Sequence, residues 1–274
     1  MKQADNTKAR STDGRRNVLS AFSGGAGIGA LGGLIGLGGA EFRLPLLIGA
    51  FRFAALEAVI LNKAMSLVVV ASALPFRAVA VPWETVAAHW TVIVNLLAGS
   101  LAGAWFGAGW ATRLASGALY RIIAILLVMI AVVLLIGHDP SSGGQPLLEG
   151  SAQIVVGVVA GVVIGAVASF LGVAGGELLI PTLVLLFGAD IKLAGSLSLA
   201  ISLPTMLMGF ARYSRDRSFA VLGRNKAFVL VMATGSIAGS FIGARLLGLV
   251  SSALLLPLLA IILMVSAVKV WRHT

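Results

Sequence analysis

Hydrophobic residues run along this chain in ten blocks, separated by short polar or glycine-rich breaks. The first five cover roughly 18–37, 42–53, 56–76, 86–110 and 118–136; the other five cover roughly 153–172, 178–188, 192–211, 226–247 and 252–271. About 20 apolar residues in an α-helix cross a hydrocarbon layer of roughly 30 Å, and eight of the blocks approach that length. They are predicted to be membrane helices. The blocks at 42–53 and 178–188 hold only about a dozen residues, too few to cross upright. Each follows a glycine-rich break, which predicts a helix, a bend near mid-membrane and a short half-helix. The longest polar stretches are 1–17, 137–151 and 212–226, and none is large enough to hold a soluble domain.

The two sets of five blocks are copies. A shift of 136 residues lays Gly36-Leu37-Gly38-Gly39-Ala40-Glu41 on Gly172-Val173-Ala174-Gly175-Gly176-Glu177. It also lays Pro45 on Pro181, Phe51 on Phe187, Ala58 on Ala194 and Ser66 on Ser202. Between 36 and 67, eleven of 32 positions are identical without a gap. Gly99-Ser100 falls on Gly235-Ser236 at the same offset. Shared Ala, Leu and Gly are common in membrane proteins, but a constant offset carrying Glu and Pro in register marks an internal repeat.

Charge places the loops. The tail carries Lys2, Lys8, Arg10, Arg15 and Arg16, the loop near 77–85 only Arg77 and Glu84, and the loop near 111–121 Arg113 and Arg121. Residues 137–151 hold Asp139 and Glu149, 212–226 hold Arg212, Arg215, Arg217, Arg224 and Lys226, 248–252 hold none, and the C-terminus holds Lys269 and Arg272. The positive-inside rule makes these alternate in, out, in, out, in, out, in. Both termini are then cytoplasmic, and loop 77–85 lies opposite its counterpart 213–221. The expected fold is an all-α membrane protein of two inverted repeats, each of about five hydrophobic segments including one short, broken half-helix. The expected layout is a tail 1–17, a repeat 18–137, a periplasmic linker 138–152, a second repeat 153–271 and an end 272–274. The apolar run after the tail continues through Leu34 without a cleavage-site pattern, as a retained cytoplasmic tail would.

Composition agrees and narrows the chemistry. With 59% hydrophobic and 11% charged residues, the chain cannot cover a soluble globule, so its outer face meets lipid. The net charge of +10 reads as loop Lys and Arg contacting anionic lipid rather than as a nucleic-acid surface. Absence of cysteine excludes disulfides, thiolate metal sites and Cys nucleophiles. His89, His138 and His273 lie too far apart for metal-ligand spacing, and no phosphate-binding loop stands in a strand-to-helix context. The reading is a non-enzyme with no cofactor and no metal. Trp83 and Trp90 near one face, and Trp110 and Trp271 near the other, fit interfacial belts.

The candidate site is the pair of breaks and what surrounds them. Gly36, Gly38, Gly39, Gly172, Gly175 and Gly176 can unwind the backbone and aim half-helix N–H groups at an anion; close packing through small residues is the other reading. For Gly24 to Gly33, Gly99 to Gly107 and Gly235 to Gly243, packing is the reading. Glu41 and Glu177 are symmetry mates in apolar sequence, suited to proton coupling or to the first turn of a half-helix. An ionised Glu would oppose an anion, which favours its protonation or its pairing with Arg43, a residue whose counterpart is Leu179. Lys63 stands about 10 Å into its helix at 1.5 Å per residue. It either snorkels to the surface or joins Asn62 and Ser66 in a polar stripe, mirrored by Ser198 and Ser202, that would bind an anion. Arg52, Glu57, Asp190 and Lys192 fall near segment ends, and Pro75 and Pro204 are expected to bend their helices.

These residues resemble a known family. Gly36 to Pro45 and Gly172 to Pro181 resemble the paired Gly-Gly…Pro motif of the TauE/SafE sulfite-exporter family. Asn62-Lys63, four residues after Ala58, is similar to that family's Ala…Thr-Asn-Lys stretch, and Ala194…Ser198 to its second copy, Ala…Thr-Ser. The usual Thr is Leu61 in one copy and Leu197 in the other, and Arg43 is an added basic residue. The resemblance covers roughly 18–271 and implies transport of sulfite, sulfonates or other small sulfur-containing anions across the bacterial inner membrane. The expectation is a secondary transporter working by alternating access, with a small anion and membrane lipid as partners. A non-transporting scaffold or assembly subunit, and an anion channel, are the alternatives.

Overall fold

A computed structural model describes residues 2–35, 39–115, 117–118, 121–122, 125, 128–129, 132, 146–247, 249, 261, 264, 268 and 271, with side chains from Val18 onward except those of Ile35, Glu41, Phe42, Pro45 and Glu177. The described elements are helical: α1 (Lys2–Ile35), α2 (Ala40–Gly49), α3 (Ala55–Arg77), α4 (Trp83–Ala88), α5 (Trp90–Ala111), α6 (Gly150–Leu171), α7 (Gly176–Phe187), α8 (Ile191–Tyr213), a 3₁₀ turn (Arg217–Phe219), α9 (Ala220–Arg224) and α10 (Lys226–Leu246). Among the described residues α3, α5, α6, α8 and α10 are long and apolar enough to cross a membrane. The apolar part of α1, Val18–Leu34, is shorter, and so is Leu178–Phe187 within α7. The chain is therefore an all-helical membrane protein. Most of the blocks 118–136 and 252–271 lies outside the described residues, but every described position in them is helical.

Three details go beyond the sequence pattern. Helix α1 runs back through the basic residues to Lys2, so the stretch expected as a tail is helical and continuous with the first apolar helix. Two amphipathic pieces, α4 and the 217–224 segment, precede α5 and α10 at equivalent places in the two halves. Arg77, assigned to a loop by its position, ends α3 and is buried.

Glycine spacing selects the main helix pairs. Ideal Cβ atoms at Gly25, Gly29 and Gly33 of α1 would stand 2.1–2.3 Å from the carbonyl oxygens of Met232, Ser236 and Ser240 of α10. In return, Gly235, Gly239 and Gly243 meet the carbonyls of Phe22, Ala26 and Ala30, at 1.9 Å for Gly239. No side chain fits at such contacts, which bring the two backbones together as small-residue spacing does in lipid. Gly99 and Gly103 of α5 meet Val158 and Val162 of α6 in the same way, and Gly161 and Gly165 meet Leu96 and Ser100. In both pairs the sequence offset stays constant, so both run parallel. Since α5 is the counterpart of α1's partner and α6 the counterpart of α1, the two interfaces are the same interface used twice.

Helices α3 and α8, themselves counterparts, pack against each other at the centre. Lys63 of α3 lies against Gly209 of α8, while Arg77, fourteen residues on, bonds to Lys192 and Ser196 at the start of α8. The two helices therefore run antiparallel. Helix α3 is parallel to α10, since Arg43 bridges Ser66 and Ser236 while Phe76 stacks edge-on against Phe241 at 5.4 Å. Likewise α8 is parallel to α5, with Ser100 bonded to Thr205 and Gly109 beside Arg212. Two three-helix groups result, α1–α3–α10 and α5–α6–α8, pointing in opposite directions and meeting along α3 and α8.

Candidate functional site

The site begins at the breaks. Helix α6 ends at Gly172, whose φ of 64° is left-handed, and α7 starts after Gly175, with φ 82°. Gly39, the counterpart of Gly175, precedes α2 with φ 64°. Left-handed backbone is costly for residues with a Cβ, so glycine permits the chain to turn within a few residues and begin a new helix. Between α2 and α3 the same kind of turn is made by Arg52, at φ 57°, where the second half has Gly188 at 67°.

Side chains of α3 and α8 then tie the breaks to the centre. The Asn62 amide donates to the Ala40 carbonyl at 3.0 Å and to the Leu171 carbonyl at 3.2 Å, joining the first residue of α2 to the last of α6. Ser202 donates to the Ala174 carbonyl inside the second break at 2.6 Å. Its counterpart Ser66 instead accepts from Arg43 at 2.9 Å, and Arg43 also donates to Ser236 at 3.4 Å. Arg43, Asn62, Ser66 and Ser202 are all buried.

Lys63 reaches Gly209 of α8, beside Ser169 of α6. It is completely buried and its ammonium has no hydrogen-bond partner among the described residues. Gly209 makes room for it: a Cβ there would stand 2.9 Å from Nζ and 3.1 Å from the Ser169 hydroxyl. The snorkelling alternative does not hold, because a snorkelling lysine would carry its amine out to solvent. An ammonium buried without a partner is costly in lipid. An arriving anion would restore the stabilisation that burial removed.

The structure thus gathers Arg43, Asn62, Lys63 and Ser66 around the middle of α3, with Ser202 and the Gly175–Gly176 start of α7 on the facing side. Ser198 is buried too, but donates to the Gly195 carbonyl of its own helix. Gly38 and the side chains of Glu41 and Glu177 lie outside the described residues; the backbones of both glutamates fall in the first turn of a half-helix. Of the residues at segment ends, Glu57 pairs with Arg224 and Asp190 caps α8 by accepting from the Lys192 N–H.

Sequence reasoning missed a second layer. Arg77, 1% exposed, donates to the carbonyls of Gly33, Leu34 and Lys192 and to the Ser196 hydroxyl. Its counterpart is Tyr213, whose hydroxyl donates to the Ser169 carbonyl at 2.7 Å. Gly33 and Ser169 are counterparts as well, so one contact recurs at the two ends of the α3–α8 pair. The signal was the offset of 136, followed beyond the glycine motif. The same offset relates Ser236, which Arg43 reaches, to Ser100, which bonds Thr205.

A family model described as Sulfite exporter TauE/SafE matches residues 21–270, nearly the whole chain. No curated protein and no solved structure matches it.

Proposed function

Because the chain belongs to the TauE/SafE sulfite exporter family, a family of membrane exporters of sulfite and related anions, we propose that its own substrate is sulfite or a small organosulfonate, bound beside Lys63. The observation that carries this reading is the completely buried ammonium without a hydrogen-bond partner among the described residues. Lysine offers three donors on a compact charge, a match for an oxyanion presenting three oxygens to one side. Arg43, bonded to hydroxyls of α3 and α10, adds a second positive centre across α3. Both lie near the midpoint of α3, and in inverted-repeat carriers the substrate is held at that depth.

The antiparallel α3–α8 pair and the twice-used glycine interface support two repeats of opposite orientation. The helix directions also agree with the loop charges: α1, α3 and α10 would run outward, α5, α6 and α8 inward, with both termini cytoplasmic in a bacterial inner membrane. Alternating access then follows if one group rocks against the other about α3 and α8. Glu41 and Glu177, each in the first turn of a half-helix, are the proposed proton-coupling groups, with the half-helix N-termini of Gly39 and of Gly175 and Gly176 facing the anion.

The test is flux of labelled sulfite, taurine-like sulfonates and chloride from liposomes holding the full-length protein, with and without a pH gradient. Saturable sulfite or sulfonate flux that is abolished in Lys63→Met supports the assignment. Flux no greater than in empty vesicles removes it, and unitary currents would identify a channel instead.

A further inference from the structure

We propose that the end of the α5–α8 pair carries a binding site for the phosphate headgroup of an anionic phospholipid. A cavity of about 290 Å³ opens there, lined by Trp105, Phe106, Gly109, Trp110, Arg113 and Arg212. Its walls divide by chemistry. Phe106 and Trp110 are 74% and 62% exposed, on the side of α5 that faces lipid, and Trp110 is buttressed edge-on by Phe170 at 5.5 Å. On the other side Arg212 of the lining lies 5.7 Å from the centre of the Trp105 ring, and Arg215, just beyond the lining, approaches the same ring at 4.9 Å.

Stacking holds a guanidinium by its face and leaves its in-plane N–H groups to bind an anion. None of Arg113, Arg212 and Arg215 is paired with a carboxylate among the described residues, whereas Arg224 is paired with Glu57. The nearest acid in sequence, Asp216, accepts from the Ser218 N–H, and residues 114–137 contain no acid. Tryptophan and arginine at a membrane interface are ordinary anchors. Here they enclose a concavity, with charge at one end and exposed aromatic surface at the other. That division fits a molecule with a phosphate and an acyl chain, and it commits the site to a lipid rather than to a free ion.

The experiment uses the full-length protein in mixed micelles titrated with phosphatidylglycerol or phosphatidylcholine brominated on the acyl chain, reading tryptophan quenching. Phosphatidylglycerol is expected to quench at several-fold lower mole fraction than phosphatidylcholine. Trp110→Phe should remove most of that difference, and Arg212→Gln with Arg215→Gln should shift the phosphatidylglycerol midpoint at least fivefold. Arg245→Gln, a surface arginine stacked over Phe241 elsewhere, should leave it in place. Equal quenching by the two lipids in the unaltered protein overturns the proposal, and so does an unshifted midpoint in the double variant. Displacement of phosphatidylglycerol by millimolar inorganic phosphate would overturn it in favour of a free-anion site. If the double variant loses its monodisperse elution, Arg212→Lys with Arg215→Lys takes its place, with a partial shift expected.

Discussion

Two buried cations of α3 have opposite circumstances. Arg77 spends four hydrogen bonds on protein groups, whereas Lys63 makes none among the described residues. Replacement should therefore separate stability from transport. Lys63→Met removes a charge that no described group pairs with, so thermal stability should hold or rise, while sulfite flux falls at least tenfold. Arg77→Gln strands buried carbonyls at about 1–3 kcal/mol, so its unfolding temperature in detergent should drop measurably. Equal thermal shifts for the two variants would contradict this division. Lys63 was legible in the sequence because an ionisable residue inside an apolar block stands out. Arg77 was not, because a basic residue at the end of a block looks like any loop charge. Its partners, Gly33 and Lys192, are distant in sequence and come together only in the folded bundle.

At the scale of the element, helix pairing rests on glycine where bulkier residues would keep the backbones apart. Gly239→Leu should strongly reduce folded yield in size-exclusion profiles, because even the first carbon of its side chain would meet the Ala26 carbonyl at 1.9 Å. Gly27→Leu, on the same α1 helix but with nothing within 4 Å, should be neutral. Gly175→Ala tests the break, since its φ of 82° costs a Cβ-bearing residue about 1–2 kcal/mol. A loss of transport with the bundle still folded is the expected result. The breaks and short half-helices were legible because glycine and block length announce them. The amphipathic α4 and 217–224 segments were not, since a few mixed residues beside a basic loop give no clear period. The pairing of α1 with α10, in the other half of the chain, was not legible either: an apolar stripe with small residues marks a contact face without naming its partner.

For the whole molecule, the repeat could be read from one constant offset, and the loop charges suggested its inversion. Which helices join α3 and which join α8 was not legible, because partner choice within a bundle is a property of packing. Absence of native cysteine makes orientation directly measurable. Val79→Cys, 76% exposed after α3, and Ser214→Cys, exposed after α8, should react with an impermeant maleimide from opposite sides of the membrane. Labelling from one side would rule out the inverted arrangement and the rocking motion with it. The unequal ends of the α3–α8 pair carry a last implication. At the Arg77 end a guanidinium of α3 bonds across to Lys192 and Ser196 of α8, whereas at the Tyr213 end the phenol bonds to Ser169 of α6, within its own group. If the two groups rock as proposed, the end without that guanidinium clasp should part more readily, leaving the idle protein ajar at the Tyr213 threshold. On the proposed orientation that threshold faces the cytoplasm, so the empty protein would wait open to the inside while gradients still dictated the direction of net flow.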